Sequence, residues 1–126
     1  MKTEKLKRKI CSHYGNKIMD WCIRKYRFSK HQDFEPELAF KESNRYKWRG
    51  EYVAEDNEVI VYLRQTRGIA QLVRTIIHEY QHYMQSPVWY ERYSKSGKRY
   101  DNHPYEIQAN RIERRDWKEC LDDILG

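Results

Sequence analysis

Residues 66–85 read Thr66-Arg67-Gly68-Ile69-Ala70-Gln71-Leu72-Val73-Arg74-Thr75-Ile76-Ile77-His78-Glu79-Tyr80-Gln81-His82-Tyr83-Met84-Gln85, and most of the expected architecture follows from them. Ile69, Leu72, Val73, Ile76, Tyr80 and Met84 recur at three- and four-residue steps, the period of a helix with one buried face. Thr66 stands where an N-cap belongs, and Pro87 ends the helix by about Gln85. At about 100° per residue, Ile69, Val73, Ile76, Tyr80 and Met84 gather on one side. His78 and His82 fall nearly opposite, within about 40° of each other. Histidines buried as ordinary packing belong inside the apolar stripe, and these two lie outside it.

His78-Glu79-Tyr80-Gln81-His82 is the His-Glu-x-x-His pattern, in which one helix offers two zinc ligands and a carboxylate base. Residues four apart share a helix face, so two imidazoles at this spacing can converge on one ion. The bland reading, two surface histidines beside a chance glutamate, is answered by the helical context that the motif requires. A catalytic zinc takes three protein ligands, so the chain must supply one more. Glu106 is a candidate, in the first turn of a last helix that begins near Asn102 and Pro104. Ala109, three residues on, is small enough to bring that helix close. Glu113 lies on the same face, placed to hydrogen-bond a ligand. Read alone, Glu106 is a carboxylate favoured by a helix dipole. His103 competes with it as ligand or as transition-state stabiliser, although it sits on a loop end, a less rigid platform.

Working outward, residues 3–27 read as an amphipathic helix with a stripe of Leu6, Ile10, Tyr14, Ile18, Trp21 and Lys25. Residues 29–36 form a polar loop ending in proline. Residues 37–42, 47–55 and 58–64 read as three short strands, with turns at Ser43-Asn44 and Asp56-Asn57. The last strand is the richest in β-branched and aromatic residues. Residues 86–104 are a long loop in which Tyr90, Tyr93 and Tyr100 are candidate oxyanion donors. The expected fold class is α+β: an N-terminal helix, a small twisted and mostly antiparallel sheet, the His-Glu-x-x-His helix, and a C-terminal helix.

A chain of 126 residues makes one domain, 1–126. Its charged N-terminus is followed by no apolar run, which excludes a secretory signal, and no segment reaches the roughly 20 apolar residues of a membrane span. Three cysteines, an odd number with no close-spaced pair, point to a reduced, cytoplasmic setting and count against a cysteine-rich structural zinc site. The net charge of +6 and the Trp48-Arg49 pair offer a weak nucleic-acid contact; the rival class is a basic DNA- or RNA-binding module, or, more strongly, a regulatory protease that acts near nucleic acid. Acidic residues interleaved throughout favour a solvated face instead.

His78-Glu79-x-x-His82 followed by Glu106-x-x-Ala109 resembles the gluzincin metallopeptidases, whose third zinc ligand is a glutamate often followed by alanine. The compact length is similar to the minigluzincins and small phage-encoded zincin-like proteins, and Glu106-x-x-Ala109-Asn110 is similar to the metallopeptidase domain of the ImmA/IrrE group. The resemblance covers residues 58–117 best. It implies one zinc per chain on His78, His82 and Glu106, Glu79 as general base, and a peptide or protein substrate held in extended form along an edge strand, with strand 58–64 serving as that edge or lying beside it. Two departures stand out: the interval from His82 to Glu106 is long for the family, and no downstream stabilising His or Tyr is fixed by position.

Overall fold

The computed structural model describes residues 2–44, 46–89 and 103–126. Helix α1 (Lys2–Tyr26) leads into strands β1 (Glu37–Lys41), β2 (Gly50–Val53) and β3 (Glu58–Tyr62), then a single 3-10 turn (Leu63–Gln65), helix α2 (Ile69–Met84) and helix α3 (Pro104–Leu125). This is the α+β class expected, with α2 at the centre, packed against α1, the sheet and α3. No helix among the described residues is long and apolar enough to cross a membrane.

The sheet departs from the expected, mostly antiparallel one. Its order is β1-β3-β2, with β1 parallel to β3 and β2 antiparallel to it. Burial explains the arrangement. Val59, Ile60, Val61 and Tyr62 are each 5% exposed or less, so β3 needs cover on both faces and takes the centre. The more polar β1 and β2 are left as edges. Residues 42–49 must therefore carry the chain from one edge to the other.

The inward face of helix α1 keeps Ile18 and Trp21 of the expected stripe, with Tyr14 against the core, but is rotated toward Cys11 and Cys22. Leu6 and Ile10 are exposed, while Cys11, Ile18, Met19, Trp21 and Cys22 are buried. Gly15 accounts for the rotation: a Cβ there would lie 2.8 Å from Leu38 and 2.9 Å from Phe40, so the helix meets β1 through its smallest residue. The helix also ties to α3, with Trp21 Nε1 donating to Asp123 (2.8 Å) and Tyr26 Oη to Asp116 (2.7 Å). All three cysteines are buried and unbridged.

Helix α2 begins at Ile69 rather than just after Thr66. Gly68 is its N-cap at φ +138°, a conformation open to glycine, and Leu72 N donates to Gly68 O. Thr66 instead closes the 3-10 turn, its Oγ1 donating to Tyr62 O at 3.0 Å. At the far end Gln85 is the C-cap, as the proline at 87 requires. Helix α3 opens with Pro104 at its first position and His103 as N-cap. Ala109 is fully buried where α3 lies along α2, as its size anticipated.

Candidate metal centre

Helix α2 is buried on nearly every side, so the face opposite its apolar stripe is not a solvent face. His78 and Glu79 are each only 8% exposed, because the glutamate-bearing face of α3 covers the histidines. Glu106, in the first turn of α3, is 4% exposed. Its Oε1 contacts His78 Nε2 and lies 3.2 Å from His82 Nε2, and the two Nε2 atoms are 3.3 Å apart. These ligand atoms all lie within 4.8 Å of one another, and the three residues could hold a metal ion. Two imidazole nitrogens and a carboxylate oxygen are donors that zinc and other divalent transition metals accept.

Second partners fix which ring nitrogen faces the site. His78 Nδ1 lies 3.1 Å from Glu113 Oε1, two turns beyond Glu106 on α3. An acceptor there keeps Nδ1 protonated and turns Nε2 inward. His82 Nδ1 lies 2.8 Å from Gln85 Oε1. Gln85 Nε2 donates to the carbonyl of Tyr105 (2.8 Å) and to Gln108 Oε1 (2.9 Å), so its oxygen must be the atom facing His82. With Nδ1 donating in each ring, both Nε2 atoms face one point, where they can offer lone pairs once they lose their protons.

The charge balance follows the same partners. Burial opposes a charged His78, but hydrogen bonds to Glu106 and Glu113 outweigh it and raise the imidazole pKa to about 10. His82 is raised too: burial lowers it, and Glu106 and Glu79 overcome that. Burial also acts upward on Glu113, yet His78 and Arg74 hold its carboxyl below the usual value. Arg74 Nε donates to Glu113 Oε2 at 2.7 Å, and Arg49 Nη2 stands 3.8 Å from Oε1. Burial pushes Glu79 up, against the pull of His82 and His78.

Glu79 opens with His78, His82 and Glu106 into a cleft of about 880 Å³, whose opposite wall is residues 47–55. The edge strand in that wall is β2, with β3 beside it, not β3 itself. Tyr62 N donates to Arg49 O, so Arg49 and Tyr62 form a hydrogen-bonded pair. By antiparallel alternation, Gly50 and Tyr52 turn their N–H and C=O groups to the free edge. Gly50 is pressed onto α2: a Cβ there would lie 2.6 Å from Thr75 Cγ2, 2.7 Å from Ile60 O and 3.6 Å from Glu79 Cγ.

Among the described residues, the ligand group contains Glu106 and not His103. His103 is buried as the α3 N-cap, its backbone oxygen accepting from Glu106 N and Ile107 N, and its Nδ1 lies 2.6 Å from Tyr105 Oη. Tyr90, Tyr93 and Tyr100 lie outside the described residues. Sequence reasoning passed over Arg74, Gln85 and Gly50, and named Arg49 only with Trp48 as a nucleic-acid contact, not as a neighbour of this site. Arg74 and Gln85 had a signal, standing four residues before His78 and three after His82 on the same helix face. No family model matches the chain, and neither a curated protein nor a solved structure matches it.

Proposed function

We propose that the chain is a zinc-dependent metallopeptidase of the gluzincin type, with His78, His82 and Glu106 as ligands and Glu79 as general base. The observation that carries this reading is the convergence of a carboxylate from α3 on two Nε2 atoms of α2, beside a buried glutamate facing the same cleft. The chemistry that zinc supplies when bound is Lewis acidity, which polarises a carbonyl and brings the pKa of water near neutral.

The remaining work falls to the protein. Gly50 and Tyr52 offer main-chain donors and acceptors to an extended peptide, which would add as a strand outside β2. Glu79, kept basic by burial, takes a proton from the attacking water at its carboxylate and passes it to the departing amine nitrogen. Glu113 and Gln85 hold the proton of each imidazole on Nδ1, so that Nε2 is the nitrogen that gives up its proton and faces the metal. Glu79 is only 8% exposed, so little bulk water reaches the base.

Glu79→Gln tests the assignment. It keeps the size of the side chain and removes its basicity, so zinc content should stay at one per chain while peptide hydrolysis falls by about 10²- to 10⁴-fold. Undiminished hydrolysis in that variant would remove Glu79 from the mechanism.

A further inference from the structure

One wall of the cleft takes no part in this chemistry and carries positive charge. Residues 42–49 make the crossing from β1 to β2, and Asn44 fixes their course: its Oδ1 accepts from Tyr46 N (2.8 Å) and Trp48 N (3.0 Å), and its Nδ2 donates to Trp48 O (2.8 Å). Lys47 is held at φ +58° inside this loop. The rings of Tyr46 and Trp48 stack, centroids 4.8 Å apart, and about half of each is exposed. Lys47, Trp48 and Arg49 all line the cleft.

Among the described residues, the two cations have no close ion-pair partner of their own along this strip. Arg49, with a side chain 40% exposed, reaches only to 3.8 Å from Glu113, and that carboxylate is already matched by Arg74 at 2.7 Å. Glu51, the nearest acid along the strand, accepts the Tyr62 hydroxyl at 2.6 Å. Lys47 and Arg49 are therefore the two cations of this strip of the cleft, both partly solvated, with Glu51 and Glu55 beyond them. The position of the strip along the cleft is set by Gly50, which lies against Thr75 and Glu79. At about 3.3 Å per residue, an extended chain beside β2 meets Arg49 to Lys47 within one to three residues of the bond next to Glu79.

We propose that Lys47, Trp48 and Arg49 form a subsite for an acidic side chain of the substrate, giving preference to peptides with Asp or Glu on the Arg49 side of the cleaved bond. This rests on the metallopeptidase reading. The indole face packs the methylene groups while the two cations take the carboxylate. A single-stranded nucleic acid is the other ligand that stacked aromatics with Lys and Arg attract. Glu42, Glu51 and Glu55, interleaved along the same strip, repel a run of phosphates but leave room for one carboxylate.

The test uses zinc-loaded protein and fluorescent peptide hydroxamates that differ only in carrying Asp, Ala or Lys at each of three successive positions. Binding is read by anisotropy at two salt concentrations. At one position Asp should bind about three- to tenfold tighter than Ala, and Lys weaker than Ala. Lys47→Gln and Arg49→Gln should each reduce the preference, and Lys47→Gln leaves every partner of the metal ligands untouched. On cleavable counterparts the change should fall in KM and spare kcat. Equal binding of the Asp, Ala and Lys probes would overturn the proposal. So would a single-stranded oligonucleotide that binds more tightly than the Asp probe and loses its affinity in Lys47→Gln. If the protein ranks the hydroxamates as expected and yet cleaves no peptide, the subsite stands and the metallopeptidase reading fails.

Discussion

Glu113→Gln removes one charge from a side chain that never touches the metal, and its effect on zinc should be large. The carboxylate accepts from His78 Nδ1 at 3.1 Å on one oxygen and from Arg74 Nε at 2.7 Å on the other, with the side chain only 3% exposed. A glutamine can satisfy one of these donors and not both. If its oxygen faces His78, its amide N–H₂ opposes the Arg74 guanidinium. If it turns round, the amide donates to His78 Nδ1 and drives the proton to Nε2, the atom that must bind. Losses of this kind run to about 10- to 100-fold in metal affinity, or roughly 1.4–2.7 kcal/mol. Competition for zinc against a chromophoric chelator at fixed pH measures it, with circular dichroism confirming the fold. Wild-type affinity in a folded Glu113→Gln protein would refute the argument that Glu113 sets the tautomer of His78.

Three other outcomes follow from the same geometry. His78 has a folded pKa raised from 6.5 to about 10 in the metal-free protein. Its stabilising effect is therefore complete below pH 6.5 and lost as pH rises through about 10, so metal-free protein should melt at lower temperature at pH 10 than at pH 7. Zinc must displace that proton, and calorimetry at pH 7 in buffers of different ionisation enthalpy should register its release on binding; a buffer-independent heat would contradict it. Gly50→Ala places a Cβ 2.6 Å from Thr75 Cγ2 and 2.7 Å from Ile60 O, an overpacking that should cost about 1–3 kcal/mol in urea titration; an unchanged midpoint would mean that β2 sits further from α2. Glu106→Ala should abolish tight zinc binding and His103→Ala should retain it, as read by metal analysis after dialysis; the reverse result would exchange their roles.

Much of the site was legible because it lies on helices. His78 and His82 four apart, and Glu106 and Glu113 seven apart, carry their spacing in the sequence, and helix geometry turns spacing into direction. The phase of α2 gave the correct face for the histidines but not its cover, since periodicity ranks faces by apolarity and cannot show that α3 brings its own polar residues onto the other one. The phase of α1 was read only in part for a related reason. Ile18 and Trp21 are buried as expected, but Cys11, Gly15 and Cys22 are small and add little to an aliphatic pattern. Small residues nonetheless let a helix meet a sheet closely. Strand order was the least legible part. Three consecutive strands suggest a meander, and what places β3 between β1 and β2 is two-sided burial, a tertiary demand. Gly50 and the place of Lys47 to Arg49 beside the cleft depend on that order; the Trp48-Arg49 pair was visible in the sequence, but not where it would lie.

The central claim is a single zinc, held by His78, His82 and Glu106, on which peptide hydrolysis depends. Titrating zinc into metal-free protein while following cleavage of a peptide mixture tests it most directly. Activity should rise in proportion to metal, level off at about one equivalent per chain, and vanish when a chelator removes it. Protein that folds, takes up no zinc at micromolar concentration, or binds one equivalent without gaining any hydrolysis would contradict the account.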